Sequence, residues 1–188
     1  MLGYSVRVAG DLIVAGNPSG EKAEVFHWNG TDWVHEITFV GEGKDQLFGF
    51  SVDIDASRII VGAYGNREGP GSAFIYLRQS GQWDLEAHLT PVDHTTRDDF
   101  GFSVSISNGR AVVGAKRIDR AYIYTRAEST GWEEERRLPI DGSAPGAQFG
   151  YSVSIDCDFV AGSETGESWV LLEHLTKPRF EVSAADDD

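Results

Sequence analysis

The chain has 188 residues, 40% of them hydrophobic and 11% aromatic, with 22 glycines; that suffices for one domain with a substantial core or for a short array of repeats. A formal net charge of −14 repels phosphate backbones and anionic lipid heads, which excludes nucleic acid and membrane surfaces as favoured partners and leaves cations or basic partners. A single cysteine, Cys157, excludes an intrachain disulfide, and no apolar run reaches the roughly 18 residues of a membrane-crossing helix, so no membrane insertion is expected.

In chain order, Met1-Leu2-Gly3-Tyr4-Ser5-Val6 comes first and lacks the basic start and long apolar stretch of a secretory signal. Leu2-Gly3-Tyr4-Ser5-Val6-Arg7-Val8 opens a pattern that recurs as Phe48-Gly49-Phe50-Ser51-Val52-Asp53-Ile54, Phe100-Gly101-Phe102-Ser103-Val104-Ser105-Ile106 and Phe149-Gly150-Tyr151-Ser152-Val153-Ser154-Ile155. Each copy is followed, after a short turn, by a second motif: Ile13-Val14-Ala15-Gly16, Ile60-Val61-Gly62-Ala63, Val112-Val113-Gly114-Ala115 and Val160-Ala161-Gly162-Ser163. A third, apolar run spans Ala23 to Trp28, Ala73 to Leu77, Ala121 to Tyr124 and Trp169 to Leu172. A fourth opens on Trp33, Trp83 and Trp132; the last copy lacks that tryptophan, and Arg179-Phe180-Glu181-Val182 stands in for it.

Four strand-sized segments at a period of about 50 residues match one four-stranded blade per repeat. The expected fold is all-β: a β-propeller built from four four-stranded antiparallel blades over 1–40, 41–91, 92–140 and 141–183. Residues 1–183 form the domain, and the acidic tail 184–188 is expected to be disordered. Four blades are the low end for such a ring. The chain can close as a four-blade ring, pair with a second copy, or join further blades.

Alternation assigns the strands. Phe48, Phe50, Val52 and Ile54 share one face of the first strand, opposite the small face of Gly49, Ser51 and Asp53, which lets another backbone approach. The second and third strands are nearly continuous apolar runs, buried on both faces between blades. In the fourth strand of the second repeat, Trp83, Leu85, Ala87 and Leu89 oppose Asp84, Glu86 and His88, as an outer strand would.

At the Phe-Gly and Gly-Ala motifs (Phe48-Gly49 with Gly62-Ala63, Phe100-Gly101 with Gly114-Ala115, Phe149-Gly150 with Gly162-Ser163) the chain resembles the FG-GAP repeat family, the blades of integrin-α-type propellers, although the proline of the second motif is absent. The resemblance implies a propeller, an extracellular or cell-surface setting, and adhesion or ligand recognition rather than chemistry. Integrin-like blades often carry a calcium loop after the first strand. Here those turns are short, and Asp53 with Asp55 and Asp156 with Asp158 are the nearest approaches to the converging oxygens calcium needs. Gly71-Ser72-Ala73 and Trp83 match the calcium-free subset, so neither metal nor cofactor is expected.

No nucleophile elbow, phosphate loop or zinc helix is present in the sequence, and no enzyme activity is expected. The histidines lie in different repeats without ligand spacing, and Cys157 reads as a residue buried near a turn. Asn29-Gly30-Thr31 is a glycosylation sequon. The turns between strands one and two, and three and four, are short and fall on one face of the array. The longer connections fall on the other, and long loops on a rigid scaffold carry function. That face supplies the candidate contacts: Tyr64, Asn66, Arg67, His94, Arg97, Lys116 and Arg117. The expected partner is a protein, with a glycan bound in lectin fashion, or a structural place in a larger assembly, as alternatives.

Overall fold

The computed structural model describes residues 1–41, 43, 46–65, 68–93, 95–138, 148–157, 159–163, 169–174 and 180–183. The strands are β1 (Val6–Ala9), β2 (Leu12–Asn17), β3 (Lys22–Trp28) and β4 (Trp33–Val40), then β5 (Ser51–Asp55), β6 (Arg58–Ala63), β7 (Ser72–Gln79) and β8 (Gln82–Leu89). They continue as β9 (Phe100–Ser107), β10 (Arg110–Ala115), β11 (Arg120–Ala127) and β12 (Gly131–Leu138), then β13 (Ser152–Asp156), β14 (Phe159–Ser163), β15 (Trp169–His174) and β16 (Phe180–Ser183). Each set of four is one antiparallel sheet in sequence order, the blade that the repeat predicts. Short 3-10 turns at Pro18–Gly20 and Lys116–Ile118 join the second and third strands of the first and third blades. Among the described residues no helix is long and apolar enough to cross a membrane.

Three apolar cores lie between successive blades. Leu12, Val14, Val25 and Phe39 of the first blade meet Phe48, Val52, Ile54 and Phe74 of the second. Ile60, Ile75 and Leu89 of the second meet Phe100, Val104, Ile106 and Tyr122 of the third. Val112, Ile123 and Leu138 of the third meet Phe149, Val153 and Ile155 of the fourth. Among the described residues none of these cores joins the first blade to the fourth. The outward positions of β1 are accordingly open, with Val6 43% and Val8 62% exposed where Val52 and Ile54 of the second blade are buried.

The alternation expected for the first strand is corrected at its start. Gly49 and Gly101 take φ of +85° and +89°, a left-handed turn that glycine adopts without a Cβ clash. The backbone therefore bends at the glycine between the two phenylalanines of each motif, and in the third blade the pairing register shifts there. Phe48 and Phe100 are fully buried between blades, whereas Phe50 and Phe102 leave that core and remain partly exposed. Phe100→Ala is expected to cost about 3–5 kcal/mol, since its ring packs 5.4 Å from Tyr122 and 6.3 Å from Tyr124. Phe102→Ala should cost clearly less, and equal losses in urea melts of the two variants would contradict this assignment.

The small polar face of the first strand performs the expected close approach. Ser51 Oγ donates to Gly101 O at 2.9 Å, and Ser103 Oγ donates to Gly150 O at 2.7 Å. Asp53 Oδ2 accepts from Ser105 Oγ at 2.7 Å and from Ile106 N at 2.9 Å, and Asp55 accepts from Asn108 N at 2.5 Å. Asp53 and Asp55, two of the carboxylates nearest to a calcium pattern, are thus bound to the next blade; Asp158 lies outside the described residues.

Two further expectations are corrected. The second motif aligns differently by one residue in the outer copies. Ser51 pairs with Gly62 and Ser103 with Gly114, while Val6 pairs with Ala15, which puts Gly16 at the equivalent place; in the fourth blade Ser152 pairs with Ser163, not Gly162. Cys157 is exposed rather than buried, because it takes the left-handed position (φ 52°) of the tight turn between β13 and β14.

The outer strand also departs from simple alternation. A β-bulge interrupts the pairing of strands three and four in each of the first three blades, and the residue skipped is Glu36, Glu86 or Glu135. The extra residue re-aims the strand. Leu85 becomes exposed and Glu86 turns inward to the next blade. Glu86 accepts from Trp132 Nε1 at 3.0 Å and Arg126 Nε at 2.8 Å, and Glu36 accepts from Trp83 Nε1 at 2.8 Å, with Arg78 Nη2 at 2.9 Å.

Candidate functional site

The residue after each Phe-Gly pair, once turned out of the core, meets its equivalents at the mouth of the array. Tyr4, Phe50, Phe102 and Tyr151 form a continuous row, one ring per blade, with successive centroids 4.7, 4.9 and 5.1 Å apart and tilted by 42° to 46°. Such tilted contacts suit the ring quadrupoles. The two outer rings are the most open, Tyr4 at 53% and Tyr151 at 45% exposure.

Two of the loop residues singled out from sequence complete this arc. Tyr64, just after β6, stands edge-on to Phe50 at 4.5 Å and to Phe102 at 5.0 Å. Lys116 opens the second 3-10 turn and holds its ammonium 3.6 Å from the Phe102 centroid, 5.6 Å from that of Tyr151 and 5.9 Å from that of Tyr64. A cation over a ring face is attracted by the negative π cloud. Burial raises the Tyr64 hydroxyl above its ordinary pKa, helped by the nearby Asp99 carboxylate and by Tyr4. Burial also raises Asp99, and the charges of Lys116 and Arg117 oppose that rise. Arg117 is exposed at the edge of this cluster. Arg97 is exposed farther along the interblade loop, with its backbone N–H bonded to Gly69 O at 2.8 Å. Asn66, Arg67 and His94 lie outside the described residues.

The loop face therefore gathers Tyr64, Lys116 and Arg117, and adds four rings, of which alternation had put Phe50 on one face with Phe48, Val52 and Ile54. Their signal was in the sequence: the position after each motif glycine is aromatic in all four copies. Chemically, the arc offers ring faces for stacking, one ammonium already seated among them, and a flanking carboxylate.

Four-stranded meander blades stacked through their inner strands are the architecture of β-propellers. Residues 40–76 and 83–125 match the family model described as FG-GAP repeat. Among solved structures it is similar to a streptogramin B lyase (13% identity, TM-score 0.66), over 98% of this chain and 55% of that one. It is similar also to virginiamycin B lyase from Staphylococcus aureus (9%, TM-score 0.63), over 98% of this chain and 56% of that one. The β-propeller domain of Cps50 (Swd1) from Myceliophteria thermophila is a further likeness (13%, TM-score 0.56), over 96% of this chain and 52% of that one. At these identities the likeness shows the fold alone, and the chain spans about half the length of the structures it matches. No curated protein matches the sequence.

Proposed function

We propose that the chain is a non-catalytic recognition module of the extracellular space or cell surface that binds a protein partner through its loop face. The observation that carries this reading is the aromatic arc, with its outer tyrosines open and Lys116 and Arg117 at its rim. Tyrosine and arginine anchors dominate protein interfaces because they give large contact area for little lost freedom. The net charge of −14 favours a basic partner through long-range attraction. The open ring faces also favour a second reading, a lectin-like site in which a sugar stacks on Tyr4 or Tyr151.

The test is a selection of binders from a displayed protein library beside a glycan array, followed by affinity measurement on the Tyr64→Ala/Lys116→Ala double variant. At least about tenfold weaker protein binding is expected. Unchanged affinity overturns the assignment of the face, and sugar binding without protein binding selects the second reading. The open Val6 and Val8 also fit an assembly with further blades or a second copy; mass in solution, compared with a Val6→Lys/Val8→Lys variant, reads this directly.

A further inference from the structure

At the opposite end of the first blade from the arc, the β1–β2 turn and the β3–β4 hairpin flank a shallow, open cleft of about 320 Å³ lined by Gly10, Asp11, Trp28 and Trp33. The two indoles lie 5.6 Å apart at 56° to each other and are 40% and 43% exposed. Their hairpin is firmly set. Asn29 Oδ1 accepts from Thr31 N, Thr31 Oγ1 and Asp32 N, all at 2.9 Å, and Trp28 N donates to Asp11 O at 2.8 Å.

The repeat shows that this pair is a departure. Trp28 pairs with Trp33 where Arg78 pairs with Trp83 and Arg126 with Trp132. In the second and third blades the arginine and tryptophan together grip the bulge glutamate of the preceding blade. In the first blade the arginine is replaced by a second indole, and Trp33 Nε1 donates to no partner among the described residues. The cleft has instead become an aromatic corner with one carboxylate.

We propose that this cleft binds a quaternary ammonium cation. Both indoles line the cleft, and Asp11 adds a negative charge beside them; a cation is attracted by the negative π cloud of an indole face. A methylated ammonium donates no hydrogen bonds, so it loses none on leaving water for ring faces. The lining's polar side-chain groups are the Asp11 carboxylate, which accepts, and the two indole N–H groups, which donate; the full negative charge of Asp11 beside the ring faces favours a cation over a neutral sugar. The acidity of the whole chain draws the same sign of ligand. The cation can be carried by a choline-type group or by a trimethylated lysine side chain.

The experiment is titration of the whole chain, by calorimetry and tryptophan fluorescence, with choline, with N-acetyl-trimethyllysine amide, and with 3,3-dimethylbutan-1-ol, the neutral shape analogue of choline. Saturable binding of a cation is expected, with the neutral analogue at least about tenfold weaker. The better-bound cation identifies the source. Trp28→Arg restores the pairing of the other blades, so it should melt as wild type while losing the cation; Asp11→Asn should weaken it. The proposal fails if neither cation saturates in the millimolar range, if the neutral analogue binds equally, if a folded Trp28→Arg variant still binds, or if an oligosaccharide binds in place of both cations.

Discussion

Gly62→Ala is expected to destabilise the protein by about 3 kcal/mol or more. A Cβ at Gly62 would lie 2.1 Å from the Gly101 carbonyl oxygen and 2.2 Å from Ser51 Oγ. That carbonyl has nowhere to go. Ser51 Oγ holds it from one side, and Gly101 itself abuts Ser72 O so closely that a Cβ there would lie 2.2 Å away. Relief requires the second and third blades to part, which opens the core around Ile60, Ile75 and Phe100. The same joint recurs at Gly16 against Gly49 O and at Gly114 against Gly150 O. Gly131→Ala is the comparison: its site has open space and φ +84°, so it should cost only about 1 kcal/mol of backbone strain. If the two variants show the same urea midpoint, the close-approach account is wrong.

Glu86→Gln is expected to cost about 3 kcal/mol at neutral pH and to flatten the acid limb of the stability curve. One carboxylate takes both Arg58 contacts (2.8 and 3.0 Å), Arg126 Nε and Trp132 Nε1, so it ties its own blade to the next. Burial is the largest influence and pushes its pKa up, but the hydrogen bonds from Arg58, Trp132 and Arg126 together outweigh it and hold the group down at about 2 against an ordinary 4.5. A carboxylate depressed on folding stabilises the native state fully above its unfolded pKa, and that stability is lost as pH falls towards the folded value. The window therefore runs from about pH 4.5 down to about pH 2. Across it the wild type should lose about 3 kcal/mol more than the variant, as read from urea midpoints at stepped pH. Parallel curves would remove Glu86 as the cause.

Most of the fold was legible because the sequence states it four times, and the strand segments, their order and the small polar face of the first strand all follow from that repetition. What escaped depends on departures from period two. Phe48 and Phe50 look like one face until the positive φ of Gly49 turns the chain between them. Leu85 and Glu86 exchange their expected sides because a bulge falls at Glu86. Neither event is visible in a single copy, yet each leaves a mark across copies: an aromatic after every motif glycine, and a glutamate three residues after Trp33, Trp83 and Trp132. Of the loop residues, Tyr64 and Lys116 were legible from their place in long connections, whereas the rings they meet come from four distant segments that only the blade geometry brings together. The Trp28–Trp33 corner was hidden for the opposite reason, since it marks a place where one copy differs from the others.

The joints between the first and second and the second and third blades each have two unlike halves. The earlier blade gives a bare glycine, a serine hydroxyl and a bulge glutamate; the later blade gives a Phe-Gly carbonyl and an arginine–tryptophan pair. An array of this kind has a direction, and it can change length by whole repeats. A tandem duplication of residues 41–91 would place Gly62 against a second Gly49 carbonyl, and Glu86 against a second Arg78 and Trp83. The glycine and glutamate contacts at the new seam would be those of an existing one, whereas Asp53 would face a second Asp53 where it now accepts from Ser105 Oγ, so the duplicate needs one substitution there. Unequal recombination within such a gene can therefore yield propellers of different blade number from one interlocking unit.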